Sequence, residues 1–227
     1  MKNPLNHMPK LDLRNMDCMD LMAEFPDKYF ELAIVDPPYG IGKFTVDYRY
    51  MKSEGKTKNK RLFSDDYNWN DSIPEPKYFE ELKRVSQKRI IWGANYYNCF
   101  EDGRGAIVWY KAIGGGPAKF SQCEIASISS QQFVDYVHID WQSGFYRKIT
   151  EGNQIHPCQK PVKLYRWLLE NYAQPGDKIL DTHGGSMSIA IACHYMGFDL
   201  TLSELDKNYY DAGIKRIKEE TRQIAMF

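Results

Sequence analysis

The peptide Asp36-Pro37-Pro38-Tyr39 places a carboxylate, two conformationally restricted carbonyls and an aromatic ring within four residues. That set suits a reaction at an aromatic amine. Such an amine is a weak nucleophile because its lone pair is delocalised into the ring, and acceptors placed on both of its hydrogens bias the nitrogen toward a tetrahedral geometry. The Asp36 carboxylate can take one hydrogen and the Pro37 carbonyl the other. The prolines limit how far that backbone reorganises as the transition state forms. Tyr39 adds a ring on which a flipped base can stack. As scaffold alone, the same tetrapeptide is a strand terminator.

A second set lies late in the chain. Residues 178–188, Lys-Ile-Leu-Asp-Thr-His-Gly-Gly-Ser-Met-Ser, run from an apolar strand into a glycine turn and then a helix, where a small ligand can approach backbone amides closely. The turn lacks the Gly-x-Gly-x-x-Gly spacing of nicotinamide cofactor sites. Glu204 follows the next strand, where an acid can grip ribose hydroxyls or cap the helix behind it. Between the two sets, His156-Pro-Cys-Gln-Lys-Pro161 leads into an amphipathic helix. Lys160 can pair with a ligand carboxylate such as that of a methionine moiety, and His156 or Gln159 can fix the loop by hydrogen bonds. His156 and Cys158 have no second ligand pair beside them, so no metal is expected.

The elements that must position these residues alternate in type. Leu32–Val35 is a short apolar run that Asp36-Pro37-Pro38 must end. A helix is predicted from Pro76, with Tyr78, Phe79, Leu82 and Val85 at helical spacing. Strands are predicted over Arg89–Trp92, Ala106–Trp109, Glu124–Ser129 and Val134–Asp140. A helix over Pro161–Ala173 closing at Gly176, a strand over Lys178–Asp181, a helix over Ser188–Met196, a strand over Phe198–Ser203 and a helix over Lys207–Arg222 complete the order. Strands alternating with helices predict an α/β fold with a largely parallel sheet.

The length of 227 residues suits one domain with small insertions, and the 43% hydrophobic content suits one substantial core. No run approaches the roughly 18 apolar residues of a membrane span, and residues 1–10 carry no apolar signal, so a cytoplasmic protein is expected. Five scattered cysteines form no Cys-x-x-Cys pair, which fits reduced thiols. Lys+Arg and Asp+Glu each total 30, so bulk charge names no partner. Its distribution does: Lys43–Arg61 carries a local excess of five positive charges, interleaved with Phe44, Tyr48 and Tyr50. That composition suits phosphate contact and base stacking, or a solvated loop.

The order Asp-Pro-Pro-Tyr, then His-Pro-x-Gln-Lys-Pro, then Leu-Asp-x-x-x-Gly-Ser resembles the DNA amino-methyltransferases of the permuted beta group, from about Asn15 to Ile217. The resemblance implies a Rossmann-like methyltransferase fold: a mostly parallel twisted sheet with helices on both faces and circularly permuted motifs. It also implies S-adenosylmethionine as donor and a flipped base held by the catalytic peptide. Carried over residue by residue, Asp36, Pro37, Pro38 and Tyr39 are the catalytic peptide, and Asp181, His183, Gly185, Ser186 and Glu204 are cofactor contacts beside His156, Gln159 and Lys160. Asn15-Met-Asp-Cys18 is similar to the family's Gly-Asp-Cys or Gly-Asp-Ser segment and implies that Asp17 reads the cofactor's adenine. Trp109-Tyr110-Lys111 resembles a segment lining the base pocket, although a strand aromatic also serves as plain core. The family's turn reads Asp-Pro-Phe-x-Gly-Ser-Gly; here Thr182, His183 and Met187 depart from it.

These features together imply an adenine-N6 DNA methyltransferase acting on double-stranded DNA, with a homodimer a possibility the family raises. DNA contact is expected from a basic loop at about 41–72, and recognition from small insertions at about 112–122 and 133–154. The alternatives are a cytosine-N4 enzyme, a methylase of RNA or of a protein amide, and a catalytically inactive DNA-binding module of the same fold.

Overall fold

Leu32 and Ile34 face one side of a central strand while Ala33 and Val35 face the other, and the two sets enter separate hydrophobic clusters. A strand buried on both faces needs helices above and below it. The computed structural model, which describes residues 8–42, 70–97, 105–111, 121–141, 151–152 and 154–222, supplies them. Its elements are β1 (Leu11–Arg14), α1 (Cys18–Ala23), β2 (Phe30–Val35), α2 (Pro76–Val85), β3 (Ser86–Trp92), α3 (Ala94–Tyr97), β4 (Gly105–Tyr110), β5 (Cys123–Ile128) and β6 (Val134–His138). They continue with α4 (Val162–Tyr172), β7 (Lys178–Asp181), α5 (Ser188–Met196), β8 (Asp199–Ser203) and α6 (Lys207–Arg222).

One sheet takes the order β1-β8-β7-β2-β3-β5-β4-β6. Each neighbouring pair is parallel except those that β5 makes with β3 and β4. The carboxyl ends of the parallel strands therefore share one edge, and the antiparallel β5 brings its amino end, Cys123-Glu124, to that same edge. Leu164, Leu168 and Leu169 of α4, the apolar α5, and Ile217 of α6 cover one face, while Leu21 and Met22 of α1 and Tyr78, Leu82 and Val85 of α2 cover the other. Among the described residues no helix is long and apolar enough to cross a membrane.

Three elements were not legible in the sequence: β1, α1 and α3. Four-residue β1 has no run long enough to show a period, and it is a strand because Leu11–Arg14 lie in register with Leu200–Ser203. Two boundaries differ from expectation. Helix α4 ends at Tyr172, ahead of Gln174-Pro175, because a residue before proline avoids helical geometry; Gly176, at φ +95°, lies in the turn beyond. Strand β6 pairs with β4 along Val134–His138 and stops two residues short of the expected Asp140. Most of the basic loop, residues 43–69, lies outside the described residues, as do 112–120 and 142–150 of the expected insertions.

Candidate active site

Strand β2 ends where Asp36 begins, and the chain then turns across the carboxyl edge of the sheet. The turn is tied down from several elements. The Tyr39 amide donates to Asn70 Oδ1 at 2.9 Å, and Asn70 Nδ2 donates in turn to the Gly42 carbonyl at 3.0 Å. Asn70 was not anticipated, because a lone loop asparagine carries no spacing signal. Gly93, at φ +79° after β3, lies against the Tyr39 ring, and a Cβ there would come within 2.4 Å of the ring edge. Only glycine fits both that conformation and that approach.

The acceptors foreseen for an amine are already engaged. Asp36 Oδ1 receives the Tyr39 hydroxyl at 2.6 Å, and Asp36 Oδ2 receives the Lys160 ammonium in a very short contact. The Pro37 carbonyl receives the hydroxyl of Tyr97 from α3, which also lies 3.0 Å from the Pro38 carbonyl. The Tyr39 ring stacks on Tyr96 with centroids 4.8 Å apart and planes 15° apart, so a base meeting this face of Tyr39 must displace Tyr96. Lone pairs remain on both acceptors for a substrate.

Lys160 is held by the protein's own carboxylates: its ammonium is buried against Asp36, 3.2 Å from the Tyr39 hydroxyl and 3.0 Å from Glu124 Oε2, and it lies over the Trp92 ring. Glu124 Oε1 in turn takes Lys111 Nζ at 2.5 Å. Sequence reasoning missed Glu124, since an isolated acid in a strand pattern looks like a surface residue until β5 is known to enter this edge in reverse. Of the Trp109-Tyr110-Lys111 segment, Trp109 is core: it is fully buried and donates to the Ile139 carbonyl at 3.0 Å.

Burial dominates the electrostatics here. It pushes the Asp36 carboxyl up, against Lys160 and the hydrogen bonds that Asp36 accepts. Burial also works to raise Glu124, but Lys160 and Lys111 outweigh it and bring Glu124 down to about 2. Lys160 is desolvated too, yet the two carboxylates raise it above its ordinary value. We take the cluster as fully ionised: two cations and two anions in mutual contact lose less by burial together than any one would alone.

On the adjoining strand, β7 ends at Asp181 and the glycine turn follows. Asp181 Oδ1 accepts the His183 amide at 3.0 Å, and burial pushes this carboxyl up to about 7. The Gly185 amide donates to Glu204 Oε2 at 2.7 Å, and Glu204 Oε1 receives the Asp206 amide, so Glu204 links the turn to the end of β8 and leads into α6. His156 packs against Gly185 and Tyr209, and burial lowers its pKa to about 3. Gln159 Oε1 holds the Ile155 amide and His156 Nδ1 the Cys158 amide, the loop-fixing roles expected of them. The Ser186 carbonyl accepts from the buried Arg216, which also bonds Ser188 Oγ, and Ser188 Oγ donates to the Lys160 carbonyl. Through α6, then, the glycine turn and the Lys160 segment are joined.

The three departures in the turn, Thr182, His183 and Met187, have partners. His183 replaces phenylalanine and bonds Thr182 Oγ1 at 2.9 Å, which pairs with the Tyr78 hydroxyl at 2.7 Å; burial lowers this imidazole to about 4. Met187 takes a left-handed φ of 56°, and its buried side chain fills space left by Gly213 of α6. Asp17 caps α1 through the Met19 amide at 2.7 Å. A cavity of about 420 Å³ lies beside it, lined among others by Cys18, Met19, Pro38, Ile73, Tyr78 and His183.

A family model described as DNA methylase matches residues 106–215. The Escherichia coli K12 protein YubD is 24% identical over 88% of the chain and 87% of its own length. The type II methyltransferase M.BglII of Bacillus subtilis is 22% identical over 96% of the chain and 71% of its own. Among solved structures, the complex of M1.HpyAVI with S-adenosylmethionine superposes with a TM-score of 0.58 at 14% identity, covering 91% of this chain and 98% of that one. The cytosine-N4-specific PvuII DNA methyltransferase superposes at 0.59 and 12% identity, covering 95% and 92%.

Proposed function

We propose that this chain, a member of the N6/N4 DNA methylase family, transfers a methyl group from S-adenosylmethionine to the N6 amine of adenine in DNA. One observation carries the reading. Strands β2 and β7 are paired, so the acceptors of Asp36 and Pro37 and the glycine turn from Asp181 to Met187 open side by side on the carboxyl edge of the sheet.

The residues present fit the donor. The cavity between α1, Pro38 and His183 has the volume of a small-ligand site, and Asp17, which caps α1, adjoins its lining residues Cys18 and Met19. Asp181 is a buried acid with no cation bonded to it among the described residues, a place that a cationic ligand would satisfy. When bound, S-adenosylmethionine supplies an electrophilic methyl group. The chain's own part is to hold the amine: Asp36 and the Pro37 carbonyl accept its two hydrogens, and Tyr39, once released from Tyr96, offers its face to the base. Double-stranded DNA is the proposed partner, met by the basic segment between Lys43 and Arg61.

Cytosine N4 is the second reading, because the PvuII enzyme of this fold carries that specificity in its name. Labelled donor and duplex DNA, followed by nucleoside analysis of the product, decides between the two bases. N6-methyladenine is expected, and Asp36→Ala is expected to abolish it while leaving the fold intact. N4-methylcytosine would overturn the adenine assignment, and no label in DNA would overturn the enzyme.

A further inference from the structure

Asp36 does not face Lys160 alone. Lys160 Nζ sits between Asp36 Oδ2 and Glu124 Oε2, and Glu124 is held from its other side by Lys111. Glu124 Oε2 lies 3.0 Å from the Lys160 ammonium while Oε1 takes Lys111, so the buried Glu124 carboxylate bridges the two cations.

We propose that Glu124 is a positioning residue that sets the proton affinity of Asp36, by sharing Lys160 between two carboxylates and balancing the charge of Lys111. The inference rests on the methyltransferase reading above. As the amine nitrogen bonds the methyl carbon, the carbon–sulfur bond breaks with its electron pair left on sulfur, and the nitrogen sheds one proton to Asp36, which passes it to water. With two ammonium groups bearing on it and no second anion, Asp36 would draw weakly on that proton. Glu124 cancels one of the two positive charges and leaves Asp36 a competent acceptor. Other titratable groups facing the cluster are Asp181 at the end of β7, Tyr39 and Tyr97 beside the peptide, His156 and Cys158 before α4, and Tyr165 within it. Burial pushes the ionisation of Tyr39, Tyr165 and Cys158 upward, so these three stay neutral near pH 7.

The test is a pair of substitutions with opposite sign, read on Asp36 itself. Protein labelled with ¹³C at aspartate carboxyls is titrated by NMR, with the Asp36 signal assigned by its loss in Asp36→Asn. Glu124→Gln, nearly isosteric, should move the Asp36 midpoint to lower pH, and Lys111→Met should move it to higher pH, each by on the order of one unit. The acid limb of kcat should follow in the same directions, with the Glu124→Gln plateau down roughly three- to tenfold as the acceptor weakens. An Asp36 midpoint unmoved in both variants, or moved the same way in both, overturns the role of Glu124, as does a lower kcat without a displaced acid limb. Absence of methyl transfer by the unsubstituted protein sinks the methyltransferase reading instead, and the NMR titration still judges Glu124.

Discussion

The hydroxyl of Tyr97 donates to the carbonyl of Pro37, the acceptor proposed above for a substrate amine. The same hydroxyl reaches Pro38, so it has an alternative partner when a base arrives. Tyr97→Phe removes the competitor without emptying the aromatic packing against Tyr39 and Phe79. The expected outcome is a KM for DNA lowered about two- to tenfold, the equivalent of one net hydrogen bond, with a smaller change in kcat. Steady-state kinetics over a range of duplex concentrations checks it; a raised KM would make Tyr97 a contributor to base binding.

Met187 and Gly213 are a matched pair. A Cβ at position 213 would lie 2.7 Å from both Cγ and Sδ of Met187, and Met187 is held by the turn and fully buried. Gly213→Ala should therefore destabilise the protein by about 1–3 kcal/mol through overpacking, although alanine is the better helix former. Combining it with Met187→Gly should recover part of that loss. Urea unfolding of both singles and the double closes the cycle, and additive effects would show that the two positions are independent.

Asp181 predicts a pH dependence. Its folded-state pKa, about 7, lies above the ordinary 3.8, so the stability it contributes is full below about pH 4 and is lost as pH rises through 7. Asp181→Asn should flatten that decline and raise the melting temperature at pH 8 relative to the parent. The same substitution should weaken S-adenosylmethionine, measured by calorimetry, if the carboxylate meets a cationic part of the ligand. A parent protein no less stable at pH 8 than at pH 5 after allowing for its histidines would count against this assignment.

His183 acts in the opposite sense. Burial lowers its pKa to about 4, so the folded state resists protonation, and stability is lost as pH falls from the ordinary 6.5 through 4. His183→Phe restores the residue usual in this turn and removes the titration. Thermal melts between pH 6.5 and 4 should show a shallower loss for the variant, at the expense of the Thr182 hydrogen bond. An unchanged slope would place the acid sensitivity elsewhere, with His156, lowered to about 3, the next group to substitute.

What the chain determined by itself is what neighbouring residues decide among themselves. Pro37 and Pro38 end β2 at Asp36 because a proline has no amide hydrogen for the ladder, and the apolar period of α4, the run Ser188–Met196 and the glycines at 184 and 185 set out the second half for the same local reason. The strand-ending peptide Asp36–Tyr39, the glycine turn and their order were legible on that basis. The partners of the charges were not. Lys160 reads equally well as a ligand contact until β5 is seen to lie between β3 and β4 in reverse, bringing Glu124 to the edge where β2 delivers Asp36. Nor does any local pattern place Tyr96 on Tyr39 or Met187 under Gly213. An ion pair or a ring stack forms between side chains that strand order makes neighbours, and strand order is settled by burying the whole core at once rather than by the residues adjacent in sequence.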